Sequence, residues 1–186
     1  MTDTFAAIPP GPERLLADPL DWFAAEHQRH RQFCLLMHGL AAERSFRAEP
    51  VAALVAFLRH ELGRHLADEE EDLFPLLRKR ALAEDQVDDV LRRLRAEHRG
   101  DLAHGGALRA HLERCLETRT APGSDPAVAL ALDAFGSQEL NHLALENAVV
   151  LPLARLRLTA PDLERLFERL MARREAVEMA SAQVRP

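Results

Sequence analysis

The sequence predicts an all-α fold: an up-down-up-down antiparallel four-helix bundle with an additional C-terminal helix. Three observations lead there. Leu, Ala, Arg and Glu dominate a chain with only 8 glycines, and all four are good helix formers. A helix-start signal occurs twice, at Asp18-Pro19 and Asp125-Pro126, where a capping side chain precedes proline at the first helical position. The helical segments also repeat, the second half of the chain echoing the first.

Residues 1–17 hold Pro9, Pro10, Gly11 and Pro12 and read as an N-terminal arm. The first helix starts at Asp18-Pro19 and runs to about Ala42. Pro50 opens a second, which carries VAALVAFL and continues towards Lys79. A third spans about Asp85 to Glu117, and the stretch TRTAPGSDP is a turn before the fourth. The bundle so defined covers residues 18–157. Thr159, Pro161 and Asp162 start a fifth helix within 158–186, with Leu163, Leu166, Phe167 and Leu170 on one apolar stripe. Short connections between long helices make them antiparallel neighbours, with the fifth docked outside.

At 186 residues and 47% hydrophobic content the chain supports one packed core without disulfides, and its two cysteines, Cys34 and Cys115, are too few for a disulfide framework. A net charge of −6 and no basic stripe exclude a nucleic-acid binder. No run approaches the roughly 18 apolar residues of a membrane span. The segment MTDTFAAIPPGPE lacks the basic start and apolar run of a secretory signal, so the expected location is cytoplasmic. Nine histidines stand beside no tyrosine at all. A tyrosyl radical of the chain's own is therefore excluded.

His65–Arg80 (HLADEEEDLFPLLRKR) aligns with His142–Arg157 (HLALENAVVLPLARLR) at an offset of 77, with eight of sixteen positions identical. Ala25-Glu26-His27 recurs as Ala96-Glu97-His98 at an offset of 71. Each half thus reads Ala-Glu-His, then His-x-x-x-Glu six residues before a proline. Residues four apart share a helix face, so His65 with Glu69 and His142 with Glu146 each present an imidazole and a carboxylate to one point. His27 interrupts the apolar stripe Leu20, Phe23, Cys34, Ala41; His98 interrupts Val87, Leu91, Leu94, Gly105, Leu112; His142 interrupts Ala131, Phe135, Val149. Four imidazoles and two carboxylates in one core layer are very costly to bury unless they are paired or bind metal.

Imidazole and carboxylate without thiolate point to iron ahead of zinc or manganese. Six protein ligands exceed one octahedral ion with open positions and suit two, with Glu69 and Glu146 as bridges. His30 and Asp101, equivalent at offset 71, are candidates for supplementary ligands or for bonding a metal-bound water. Glu61 and Gln138, equivalent at offset 77, are candidates to accept the second N–H of a ligand imidazole. His38, His60, His104 and His111 have no matching partner in the repeat and are read as structural. The run Glu70, Glu71, Asp72 is read as a solvated face, and Cys34 as a small core residue.

With these residues the chain resembles the hemerythrin-like, HHE cation-binding family. The likeness lies in Glu26-His27, in His65-Leu-Ala-Asp-Glu69 running into Leu73-Phe74-Pro75, in Glu97-His98, and in His142-Leu-Ala-Leu-Glu146 running to Pro152. It implies a bundle holding two non-heme iron ions, oxo- or hydroxo-bridged, that bind or sense dioxygen, nitric oxide or peroxide. The family's oxygen carriers have a second histidine four residues after that of the third helix and end in His-x-x-x-x-Asp. Here those features are Leu102 and His-x-x-x-Glu, which argues against reversible oxygen carriage.

The first functional expectation is thus a di-iron protein that binds or senses a small oxidant. A di-iron peroxidase or an iron-donating repair factor is the enzymatic alternative. An interaction module with a structural metal is the third, with the C-terminal helix as the surface for a second copy or a signalling partner.

Overall fold

The computed structural model describes residues 18–183, with side chains to residue 176. The predicted N-terminal arm, residues 1–17, lies outside the described residues. Eight α-helical segments follow: α1 (Pro19–Ala42), α2 (Ala48–His60), α3 (Leu62–Ala67), α4 (Phe74–Arg80), α5 (Val87–Thr118), α6 (Pro126–Leu145), α7 (Leu151–Arg157) and α8 (Ala160–Gln183). No strand occurs among the described residues. The eight form five rods, because α2, α3 and α4 run on as one and α6 continues into α7.

Both start signals work as read. Asp18 Oδ1 accepts the Leu20 N–H at 2.7 Å, and Asp125 Oδ1 accepts those of Ala127 and Val128 at 2.8 and 3.4 Å. Asp162 Oδ2 takes the Thr159 N–H at 3.0 Å and the Thr159 hydroxyl at 2.6 Å, closing the first turn of α8. The second rod starts at Ala48, two residues before Pro50.

The repeat extends to the backbone. A π-helical turn covers Asp68–Leu73 between α3 and α4, and another covers Glu146–Val150 between α6 and α7. Pro75 and Pro152, at the second positions of α4 and α7, have no N–H for the carbonyl four residues back. The chain widens by a residue ahead of each proline. Such bulges are frequent at functional sites, and Glu69 and Glu146 both lie on these turns.

α1 packs on α6 and α2 on α5, and the hairpins α1–α2 and α5–α6 close the bundle. The core has two apolar ends. One gathers Phe33, Met37, Leu40, Leu54, Phe57 and Phe135. The other gathers Phe23, Leu73, Phe74, Leu77, Leu91 and Leu94, with Leu166 and Leu170 of α8 sealing it. The histidine layer lies between them. The apolar stripe of α8 therefore packs on its own bundle, Leu166 and Leu170 being fully buried.

α8 is also wired by charge. Arg169 and Arg173 bind Asp72, Arg173 and Arg174 bind Asp68, and Arg173 binds Glu71. This corrects the reading of the acidic run as a solvated face at Asp72, while Glu71 stays exposed. Asp72 is 2% exposed. The π turn departs from the 100° spacing of an α-helix and turns Asp72 against α8.

Candidate metal centre

The rods bring their polar interruptions to one level. α1 supplies Glu26, His27 and His30, α3 supplies His65, and the first π turn supplies Glu69. α5 supplies His98 and Asp101, α6 supplies Glu139 and His142, and the second π turn supplies Glu146. All ten are at most 3% exposed.

Two groups of ligand atoms converge: His27, His65, Glu69 and Glu146, and Glu69, His98, His142 and Glu146, each within 4.8 Å of one another. Both glutamates belong to both groups. Glu69 Oε1 lies 3.4 Å from the Nε2 atoms of His27 and His65, while its Oε2 lies 3.6 Å from His98 Nε2. Glu146 Oε2 lies 3.5 Å from His27 Nε2, while its Oε1 lies 3.0 Å from His142 Nε2 and 3.9 Å from His98 Nε2. Each carboxylate turns one oxygen to each half of the site.

The outer nitrogens decide what the inner ones present. His98 Nδ1–H donates to Glu70 Oε1 at 2.8 Å and His142 Nδ1–H to Glu97 Oε2 at 3.1 Å. Ionised carboxylates only accept, so both Nδ1 atoms carry the hydrogen. His27 Nδ1–H donates to Asn147 Oδ1 at 3.0 Å, since the Asn147 amide nitrogen is occupied with the Leu143 carbonyl at 2.7 Å. In the neutral ring each Nε2 is then a lone pair aimed inward. Those of His98 and His142 stand 3.0 Å apart. His65 Nε2, Glu69 Oε2 and both oxygens of Glu146 are buried with no hydrogen-bond partner among the described residues. Lone pairs converging on buried points are costly unless a cation or proton lies between them. The donor set fits a metal.

Protons otherwise fill that role. Burial, then the charge of Glu146, raises the Glu69 carboxyl well above its usual range. Burial also pushes Glu146 up, but the adjacent imidazoles, His142 first, outweigh it and bring Glu146 to about 2. Burial alone would lower His142, yet Glu146 and Glu69 raise it to about 10. His65 and His30 are held neutral, by burial and then by neighbouring imidazoles.

The remaining candidates are placed as follows. His30 lies inside, its ring centroid 4.2 Å from His65 and 4.7 Å from Phe57, and it groups with Glu26 and His65 rather than with either four-residue cluster. Asp101 is fully buried and lies outside those clusters. Leu102 is 52% exposed, so the inward position beyond His98 is that of Asp101. Glu61 is drawn to Arg29 and Gln138 to Asp101, whose Oδ1 accepts the Gln138 amide at 2.6 Å. This replaces the reading that Glu61 and Gln138 accept from the ligand imidazoles. That role falls to Glu70, Glu97 and Asn147, which the residue-by-residue reading missed. His60, His104 and His111 are exposed, and half-buried His38 pairs with Asp133. Burial, then the charge of Glu139, pushes the Cys34 thiol up, as suits an inert core residue.

The repeat held the missing signal. Glu70 and Asn147 are equivalent at offset 77, and each bonds the α1- or α5-type histidine of the opposite half. Glu26 and Glu97 are equivalent at offset 71. Glu97 holds His142, and Glu26 lies in the same cluster as His65.

The family model of the hemerythrin HHE cation-binding domain matches residues 18–154. The chain belongs to the hemerythrin HHE family. No curated protein matches it. In a hemerythrin HHE domain the expected ligand is a cation, and in this one the buried His/Glu clusters offer it a place. The match ends four residues before Leu158 and leaves α8 outside the family domain. No described helix is long and apolar enough to cross a membrane.

Proposed function

We propose that this hemerythrin HHE protein is a non-heme di-iron protein that binds or senses a small oxidant, namely dioxygen, nitric oxide or peroxide. One observation carries the reading: Glu69 and Glu146 each direct one oxygen into each of two adjoining nitrogen clusters. Two half-sites that share both carboxylates suit a pair of bridged ions better than one ion. His27 and His65 would hold one ion and His98 and His142 the other. With two imidazoles and one oxygen from each carboxylate on either side, each ion would have room left for an exogenous ligand. Iron bound there would supply reversible electron transfer and affinity for small π-acid or anionic ligands.

The chain's own residues do the rest. Glu70, Glu97 and Asn147 fix the tautomer and aim of three rings. Phe74, stacked on His98 at 5.7 Å, and Phe23, 6.3 Å from His65, close one side of the layer with apolar surface. That excludes water from an oxidisable centre.

Metal counting on the purified chain, with optical spectra taken with and without oxygen, azide and nitric oxide, tests the reading. It expects about two irons per chain and a near-ultraviolet oxo-to-iron band that responds to azide. One zinc per chain with no spectral response would leave only a module with a structural metal.

A further inference from the structure

The pseudo-twofold that governs the ligand layer fails in the layer beside it. Next to the first-half ligands stand His30 and Leu62. Their equivalents at offsets 71 and 77 are Asp101 and Glu139. Both carboxyl groups are buried, Asp101 at 0% and Glu139 at 2% exposure. Each keeps one oxygen, Oδ2 of Asp101 and Oε1 of Glu139, without a hydrogen-bond partner among the described residues. Asp101 follows His98 by one turn, and Glu139 precedes His142 by one turn. The pair therefore adjoins the second half-site.

Two carboxylates buried side by side need a positive charge or a shared proton. A cation is poorly served there: among the described His, Cys, Asp and Glu no third ligand atom completes a cluster with the pair. Asp101 and Glu139 lie close enough for each to act on the other's proton, and two carboxyl groups can hydrogen-bond only when one of them is protonated. Burial first, and then the charge of Asp101, pushes Glu139 up to about 8. The other charges acting on the pair come from His142 and Glu146 on the α6 rod and from Glu97 and His104 on α5.

The pair also has a route to water. Exposed Gln138 reaches inward to Asp101 Oδ1 at 2.6 Å. It lines a groove of about 280 Å³ between α5 and α6, together with His104, Leu108, Ala134 and Phe135. Gln138 is thus a polar plug between a surface groove and a buried carboxyl pair.

We propose that Asp101 and Glu139 share one proton and deliver it to an oxidant in the histidine layer, the pair being refilled from the α5–α6 groove past Gln138. This inference rests on the function proposed above. The chemistry balances for a peroxide. Two-electron reduction of the peroxide, for which ferrous ions held in the histidine layer would supply the electrons, breaks the O–O bond and yields two hydroxides. The shared proton passes to one of them, both carboxyls are left ionised, and a proton from groove water restores the pair. The oxidant class is then one whose reduction consumes protons, rather than a gas that is carried and released unchanged.

Infrared spectroscopy of the full chain, metal-free and iron-loaded, together with single-turnover oxidation of the ferrous protein by hydrogen peroxide, tests it. The wild type shows a buried protonated-carboxyl stretch at neutral pH that shifts in D2O. That band is lost in both Glu139→Gln and Asp101→Asn. Both variants hold wild-type amounts of iron yet react with peroxide at least about a hundredfold more slowly, the low end of what a lost proton donor typically costs, and with a changed solvent isotope effect. Absence of the band in the wild type overturns the pair. A band with unchanged peroxide kinetics in both variants overturns the delivery. A wild type that takes up no iron overturns the di-iron reading and the delivery with it, and is told apart because the carboxyl band still appears.

Discussion

The Nε2 atoms of His98 and His142 face each other at 3.0 Å, while their Nδ1–H groups donate to Glu70 and Glu97. Neither inner nitrogen can turn away without abandoning a carboxylate, so the two Nε2 atoms are locked on one point. This is pre-organisation for a cation, built by residues that do not reach the cation themselves.

Removing either anchor therefore weakens metal binding without removing a ligand. Glu97→Ala and Glu70→Ala are expected to lower metal affinity roughly 10–100-fold, measured by competition with a chelator of known affinity. Affinities within twofold of wild type in both variants would refute the anchoring role.

Metal uptake is expected to release protons. In the metal-free protein the raised Glu69 and the His142 imidazole, raised to about 10, both hold protons that a metal must displace. Affinity therefore falls with acid and climbs as pH rises towards about 10. The raised His142 also stabilises the metal-free fold, fully below its ordinary value of about 6.5 and decreasingly as pH rises through the folded value. Calorimetric titration in two buffers of different ionisation heat counts the protons. Equal heats in both buffers would contradict the coupling.

Phe74 is fully buried and stacked on His98 at 5.7 Å. Phe74→Ala is expected to cost about 3–5 kcal/mol, which for a chain of this size lowers the melting temperature by roughly 10 °C or more. Thermal unfolding followed by circular dichroism checks it.

Arg169 and Arg173 of α8 together bind the buried Asp72. Arg169→Ala alone, at a half-exposed side chain, is expected to cost under about 1 kcal/mol. Arg169→Ala with Arg173→Ala leaves Asp72 without either arginine and is expected to cost about 3–5 kcal/mol. Denaturant titration of the single and double variants gives the difference, and a merely additive small loss would refute the buried pairing.

Gly123 sits where the loop before α6 meets the end of α1. A Cβ there would lie 2.7 Å from the Ala41 carbonyl oxygen and closer still to that of Glu43. Backbone cannot yield as a side-chain tip does. Gly123→Ala is expected to destabilise by about 2 kcal/mol, read from the unfolding midpoint.

The buried layer of histidines and glutamates was legible in the sequence because it depends on quantities a sequence carries. Helical spacing puts His65 with Glu69, and His142 with Glu146, on single faces. The doubled motif then assigns the same face to both halves, and family resemblance agrees with it. Asp18-Pro19 and Asp125-Pro126 start helices through bonds made within three residues. Local chemistry of this kind does not wait for tertiary structure.

The partners of that layer were not legible, for a physical reason. Glu70, Glu71 and Asp72 lie on a π turn, where counting 100° per residue fails, so Glu70 swings to His98 and Asp72 to α8. Glu61 goes to Arg29 and Gln138 to Asp101, not to the imidazoles that the sequence offered them. Which bond forms depends on how one helix is rotated against the next. Asp101 and Glu139 likewise become a pair only because α5 and α6 abut at that level. The sequence by itself determined which faces are polar and which six side chains share a layer, since both follow from helix periodicity and repetition. The tertiary structure alone decided what each polar group faces across the bundle, because that is set by packing between rods and not by spacing along them.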